Sequence, residues 1–484
     1  MRYATPESVG ISTQSIKKYI DYLEESGLST HSIIIARGND IVLEKYWAPF
    51  NKDFKHRLYS VTKSFVSLAI GFLYQDGVID LDDPIAKYFP EEMSVQTDEN
   101  MRAQTIRHML MMSTTKIPED WFAAKPDDRV QYYFANPTST TRPSGTVFQY
   151  DSTGSFVLGA LVERLSGKSL VEFLNERMFS KIGVGEVDCL KCPGGHSWVD
   201  SAMLMRPIDL LKSARFVMNG GAWEGEQILD PEYVKAATSK QIDNSAYGMQ
   251  TFSECGYGYQ FWMTKKGGFF FNGMGCQLAF CLPEKDIILV YNGDNQGCAI
   301  AKTLIFDGFL NIVYDNISDG PLPEYTAEPI GEHELFFVKG MADCALKSEI
   351  SGVRYVLDEN PMKISELTVT FTQDGGEIKY VKDGKEMLIP FGLLKNVFSS
   401  FPEDGYSDRM GAVSVPGNRY DCAASAAFVG ERELLIRVQV IDKYFGNLSI
   451  KLGYRDDGKL GVYIQKCAED FLHDYSGYAT GRRS

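Results

Sequence analysis

In the stretch HRLYSVTKSF, residues 56–65, a serine and a lysine stand three apart, at Ser60 and Lys63. On a helix this spacing puts both side chains on one face, one turn from each other. A serine hydroxyl is a weak nucleophile until a base takes its proton, and a neutral lysine amine one turn away can be that base. As a plain structural cation the lysine is badly placed, because the first turn of a helix is the positive end of its dipole. Ser60 also has a plain reading as a helix N-cap. S-x-x-K alone is too short to choose between them, so the choice depends on company: a second proton handler, and backbone donors for an oxyanion.

Two further stretches offer it. YDSTGSFVLG, residues 150–159, follows the turn-rich RPSGTVFQ and precedes a predicted helix. Tyr150 and Ser152 stand two apart in that loop, so both can face one cleft. Between two predicted strands lies FFFNGMGCQLAF, where Gly273 and Gly275 would let the backbone approach a substrate and present N–H groups unobstructed. Taken singly, each has an ordinary structural reading: a packed phenol, a turn or a bulge. Cys189 and Cys192 form a lone C-x-x-C with His196 close behind, but no fourth ligand stands at readable spacing. They read as loop cysteines without metal, and no cofactor is expected.

The elements that must position these residues follow from periodicity. A helix is predicted over Ile16–Glu25, then a hairpin of HSIIIARG and IVLEKYWAP joined at Gly38-Asn39-Asp40. The helix opened by Ser60 is apolar on nearly every side, as in a domain centre. From about 76 to 250 the chain reads as mainly helical, with segments at Thr105–Met112, Phe156–Leu165, Leu170–Phe179 and Asp209–Met218. Pro207 and Asp230-Pro231 mark further helix starts. YGYQFWMT, GGFFFNGMG, CQLAFCLPE and DIILVYNGD then suggest an antiparallel meander, closed by a helix over Ala299–Tyr314. The expected fold class is α+β: an antiparallel sheet built from both chain ends, flanked by helices and bracketing a large helical insertion. The domains expected are 1–317, a Pro- and Gly-rich linker at 318–331, and a smaller all-β domain at 332–484, sandwich or barrel, without a catalytic constellation of its own.

The 484 residues leave ample material for a sizeable core. A formal net charge of −15 argues against a nucleic-acid partner, since no excess of Lys and Arg is there to neutralise phosphates. No stretch reaches membrane-spanning length, and MRYATPESVGISTQSIKKYIDYLEE lacks the apolar core of a signal peptide. Nine cysteines, an odd number, fit reduced thiols. A cytoplasmic location and a small-molecule partner, with neither nucleic acid nor membrane, are expected.

Together, in this order, the motifs resemble the serine β-lactamase-like hydrolases: class C β-lactamases, D-Ala-D-Ala carboxypeptidases and the related family VIII esterases and amidases. The resemblance runs over residues 1 to about 315. It takes in LYSVTKSFVSLAIGFLYQDGVIDLDDPIAKYFPE, IRHMLMMST, YDSTGSFVLGALVERLSG, RPIDLLKSARFVMNGG, YGYQFW and NGMGCQLAFCLPEKDIILV. It implies Ser60 as nucleophile, Lys63 as its base, and Tyr150 as the group that shares a proton with Lys63 and delivers it to the leaving group. Ser152 stands where the family has an amide-gripping Asn. Asn272, Gly273 and Met274 are the substrate-binding and oxyanion positions, with the N–H groups of Ser60 and Met274 as the hole.

The departure is in the third motif, where the family's Lys-Thr-Gly or His-Thr-Gly is replaced by Phe271-Asn272-Gly273. Lys265 and Lys266 read as a hairpin turn facing solvent. Loss of that cation argues against β-lactams and peptidyl-D-alanine and for small esters or amides; Arg142 and Lys266 are the fallback carboxylate sites. Three functions stay open: an acyl-enzyme hydrolase, an acyltransferase using the same intermediate, and a catalytically silent ligand sensor. The C-terminal domain would cap the cleft in a similar way to the appended domains of related aminopeptidases.

Overall fold

A computed structural model describes residues 1–93, 97–116, 127–135, 142–247, 255–326, 328–407, 410–411, 413–469 and 472–484. Parts of the stretch expected to be helical, at 94–96, 117–126, 136–141 and 248–250, lie outside the described residues. No helix among the described residues is long and apolar enough to cross a membrane. The chain divides into two units, Met1–Glu334 with Arg409–Gly411, and Leu335–Asp408 with Ala412–Ser484.

In the first unit, helix α1 (Thr13–Glu25) leads into strands β2 (Thr30–Arg37) and β3 (Asp40–Ala48), with the short β1 (Arg2–Tyr3) beside β3. Gly38, at φ 56°, supplies the left-handed turn residue of the hairpin. The meander is β4 (Trp262–Met263), β5 (Phe269–Gly273), β6 (Gln277–Leu282) and β7 (Ile287–Gly293). β7 pairs antiparallel with β2, from Ile287 opposite Arg37 onward, so the two chain ends join in one sheet of order β1-β3-β2-β7-β6-β5-β4. A last short strand, β8 (His333–Glu334), pairs parallel with the end of β3.

Strand alternation sorts the sheet's two faces. Ile33, Ile35, Leu278, Phe280 and Leu289 bury against Ile16, Tyr19 and Leu23 of α1 and Ile305, Phe306 and Phe309 of the closing helix α5 (Ala301–Ile312). On the other face Phe271 meets Phe65 of α2 (Val61–Gln75), ring centroids 6.0 Å apart. Every residue of α2 from Val61 to Leu73 is buried, which is why it shows no polar stripe. Helix α3 (Ser152–Ser166) packs beside α2, and α4 (Pro207–Met218) starts with its proline in the first turn, as expected. The segment after α5 runs along the first unit: Ser318 N–H donates to Gly10 O and Leu322 N–H to Glu7 O.

The second unit is a closed barrel. Strands β9 (Arg354–Leu357), β10 (Ile364–Phe371), β11 (Gly375–Lys382), β12 (Lys385–Leu393), β13 (Asp421–Gly430), β14 (Glu433–Val440), β15 (Asn447–Tyr454), β16 (Lys459–Cys467) and β17 (Tyr475–Arg483) pair in the order β12-β11-β10-β9-β17-β16-β15-β14-β13. The neighbours along this path are antiparallel, and a short parallel pairing of Gly392 and Leu393 with Ser425 and Ala426 closes the ring. Of the two architectures expected, the barrel is the one formed.

Candidate active site

Ser60 owes its position to the turn before it. Tyr59 has φ 47°, in the left-handed region that costs a side-chain-bearing residue on the order of 1–3 kcal/mol. Leu58 N–H donating to Met203 O, at 2.8 Å, and the Arg57 guanidinium, 4.5 Å from the Tyr59 ring centroid, hold that turn. Ser60 then enters α2 with helical φ and ψ, and its hydroxyl makes no capping bond. The N-cap reading therefore fails. The hydroxyl instead accepts a hydrogen bond from Lys63 Nζ at 3.0 Å. Lys63 is 2 % exposed; its ammonium also donates to Asp200 O at 2.6 Å and lies 5.3 Å from the Tyr150 ring centroid.

Tyr150 is held as a rigid plate by stacking on Trp262, centroids 5.7 Å apart. The next residue, Asp151, is fully buried and caps α3 by accepting from Gly154 N–H, while Thr114 Oγ1 and Thr153 Oγ1 donate to its carboxylate. The cap fixes where the loop ends, with Tyr150 and Ser152 partly exposed on either side of it. Lys63 and Tyr150 are thus brought together from two elements, and Ser152 opens the helix that carries the loop.

The third motif reaches the same place through a missing side chain. A Cβ on Gly273 would stand 2.3 Å from Leu58 O, so only glycine lets β5 run against the backbone two residues before Ser60. Met274 follows at once, half-exposed, in a turn completed by Gly275 (φ 70°) and Cys276 (φ 78°). Phe271 points into the core among Phe65 and Phe261, so a lysine substituted there would be buried rather than offered to a substrate. Asn272 faces the other way, and its Oδ1 accepts from Lys302 Nζ of α5 at 2.6 Å. The motif has no cation of its own, yet the fold brings one to it. Burial pushes the Lys302 ammonium below the usual lysine range.

Other residues singled out in the sequence are engaged elsewhere. Lys265 and Lys266 form the expected turn at the surface, where they pair with Asp307 at 3.0 Å and Asp315 at 3.2 Å. The Arg142 guanidinium is shifted below its usual range by burial, with Asp151 opposing the shift. Cys189 lies in a short strand opposite Met203, and Cys192 in a hairpin closed by a Lys191–Ser197 bridge; the Cys192 thiol faces His196 O, and His196 Nδ1 pairs with Glu163 at 2.8 Å. Among the described residues no cluster of three ligand-type side chains could hold a metal. Two residues near Lys63 and Asn272 escaped the sequence reading altogether: Asp200, in a loop with no periodic signal, and Lys302.

Residues 16–297 match the family described as Beta-lactamase. The chain belongs to this β-lactamase family. Its relatives include the 6-aminohexanoate-dimer hydrolase of Paenarthrobacter ureafaciens, 25 % identical over 291 residues, 55 % of this chain and 73 % of that one. Penicillin-binding protein 4* of Bacillus subtilis (strain 168) is 24 % identical over 195 residues, 36 % of this chain and 42 % of its own. Among solved structures, the octameric penicillin-binding protein homologue from Pyrococcus abyssi superposes with a TM-score of 0.50 at 16 % identity, covering 97 % of this chain and 99 % of that one. The β-lactamase-family fold and an appended C-terminal barrel are therefore both present here, and the family is one of hydrolases.

Proposed function

We propose that the protein is a serine hydrolase that cleaves small ester or amide substrates through an acyl-enzyme on Ser60. The observation that carries this is the 3.0 Å approach of Lys63 Nζ to a Ser60 hydroxyl that caps nothing. In the reaction Ser60 Oγ bonds to the substrate carbonyl carbon while its proton passes to the neutral Lys63 amine. Charge gathers on the carbonyl oxygen, facing the N–H groups of Ser60 and Met274. Tyr150, beside Lys63, relays that proton to the leaving alcohol or amine, and water then releases the acyl group by the reverse path. A relative named for hydrolysing the 6-aminohexanoate dimer supports linear amides as one class to try.

Intact-mass spectrometry after reaction with a fluorophosphonate is expected to show one adduct, lost in Ser60→Ala. An adduct formed at full yield in Ser60→Ala would remove Ser60 from the mechanism. Substrate choice is read from kcat/KM for p-nitrophenyl butyrate, the 6-aminohexanoate dimer and nitrocefin. With Phe271 turned into the core, the Lys302 ammonium engaged by Asn272, and Ser152 in place of an amide-gripping Asn, a β-lactam is held loosely. A lost charge-assisted anchor is worth roughly 10–150-fold in binding. The ester is expected to exceed nitrocefin by about two orders of magnitude on that basis; a preference for nitrocefin would show that the motif's own residues do not set the choice.

A further inference from the structure

Asp200 contributes more than the carbonyl that Lys63 touches. The turn 198–203 is stitched to the start of α2: Met203 N–H donates to Thr62 Oγ1 at 3.2 Å, and Leu58 N–H to Met203 O at 2.8 Å. Trp198 lies between two guanidinium groups, Arg57 at 4.6 Å and Arg129 at 5.3 Å from its ring. Asp200 is 6 % exposed, and its Oδ1 is buried with no hydrogen-bond partner among the described residues. Three cations face it, Lys63 from α2, Arg129 from the helix Arg129–Ala135, and Arg57 from the short strand His56–Arg57; the thiols of Cys189 and Cys192 stand nearby. Burial raises this carboxyl above its ordinary range, with the three cations opposing.

A carboxylate kept only to hold a fold together is normally hydrogen-bonded throughout, because an unmet buried acceptor is costly. An acid left with one oxygen unmet, beside the amine that must take a proton from Ser60, is the kind of group that functional sites retain. We propose that Asp200 is a positioning residue of the hydrolase: its carbonyl anchors Lys63, and its carboxyl sets the charge against which Lys63 exchanges a proton. The inference rests on the Ser60–Lys63 reading above. A carboxylate beside an ammonium favours the charged form of both. Removing it therefore favours the neutral amine that Ser60 needs.

The test is the pH profile of kcat/KM for a p-nitrophenyl ester in Asp200→Asn, which keeps the shape and loses the charge. The acid limb is expected to move to lower pH by about one unit or more, and to return towards its original place in Asp200→Glu. Activity lowered by one factor at every pH, with the limb unmoved, overturns the inference. Should Asp200→Asn not fold, Asp200→Ser is read in the same way; if neither neutral variant folds while Asp200→Glu does, the acid is structural and the inference falls. Ser60→Ala, run in parallel, separates the two claims. Activity surviving in Ser60→Ala removes the acyl-enzyme reading, whereas an inactive Ser60→Ala with an unmoved limb in Asp200→Asn removes only the role of Asp200.

Discussion

Lys63 and Lys302 both stand in the first turn of a helix, where the dipole's positive end disfavours an ammonium. Each is held there by a hydrogen bond next to a motif, Lys63 to Ser60 and Lys302 to Asn272. General acid–base groups typically contribute about 10²–10⁴-fold. Lys63→Ala and Tyr150→Phe are accordingly expected to lower kcat at least ~100-fold while the melting temperature stays nearly unchanged. A loss well under tenfold in either variant, in a folded protein, would mean the proton path runs elsewhere. The dipole argument that singles out Lys63 in the sequence applies equally to Lys302. With the helix predicted from Ala299, Lys302 stands as far from its start as Lys63 does from Ser60; what the sequence does not show is that α5 carries it back to Asn272. Asp200 carries no such signal, since nothing in HSWVDSAM shows that the loop returns to α2.

Between the elements, one side chain joins several. Gln260 adopts φ 63° and is 2 % exposed. Its amide donates to Met109 O and Leu110 O, both at 3.0 Å, and accepts from Ser155 of α3 at 2.8 Å. Its carbonyl accepts from Ser64 of α2 at 2.8 Å. The residue thus ties the helix bearing Ser60 to the helix that follows Tyr150. Gln260→Ala strands several buried partners at roughly 1–3 kcal/mol each, so a loss of about 3 kcal/mol in urea unfolding is expected. A change under about 0.5 kcal/mol, the usual size for a surface substitution, would show that the network adds nothing. The same left-handed residue explains why YGYQFWMT, a β-rich run throughout, yields only Trp262–Met263 as strand. Gly258 is also pressed against Ala237 O, where a Cβ would stand at 2.0 Å. Helix α1 was legible because it buries one periodic face, and α2 and the rest of the meander because their apolar runs are buried on every side. The break at 258–260 was not, because it is imposed by contacts distant in sequence.

For the molecule as a whole, alternation in the C-terminal strands was legible, but closure into a barrel was not. The alternating interior of Leu434, Ile436 and Val438 would serve a sandwich as well, and the ring is closed by two residue pairs across β12 and β13. Stability at this scale should carry the mark of buried histidines in the first unit. His31 and His56 are fully buried, rings 5.5 Å apart, with His31 stacked on Phe50 at 3.8 Å. Burial drives His31 well below its ordinary range, helped by His56, and takes His56 to about 3. Their folded pKa values are depressed below the unfolded value of about 6.5, so between about 6.5 and about 3 the unfolded chain binds protons that the folded chain refuses. Stability is full above about 6.5 and falls with pH through that window, by about 1.4 kcal/mol per pH unit for each proton. Half-buried His108 adds in the same direction, whereas Asp200, raised by burial, works against it above its unfolded pKa. All five tryptophans lie in the first unit, so their fluorescence in urea titrations follows that unit. The unfolding free energy is expected to drop steeply from pH 6.5 to 4.5, and His56→Phe to flatten the slope by about one proton. An equally steep slope in that folded variant would place the acid sensitivity outside the histidine pair.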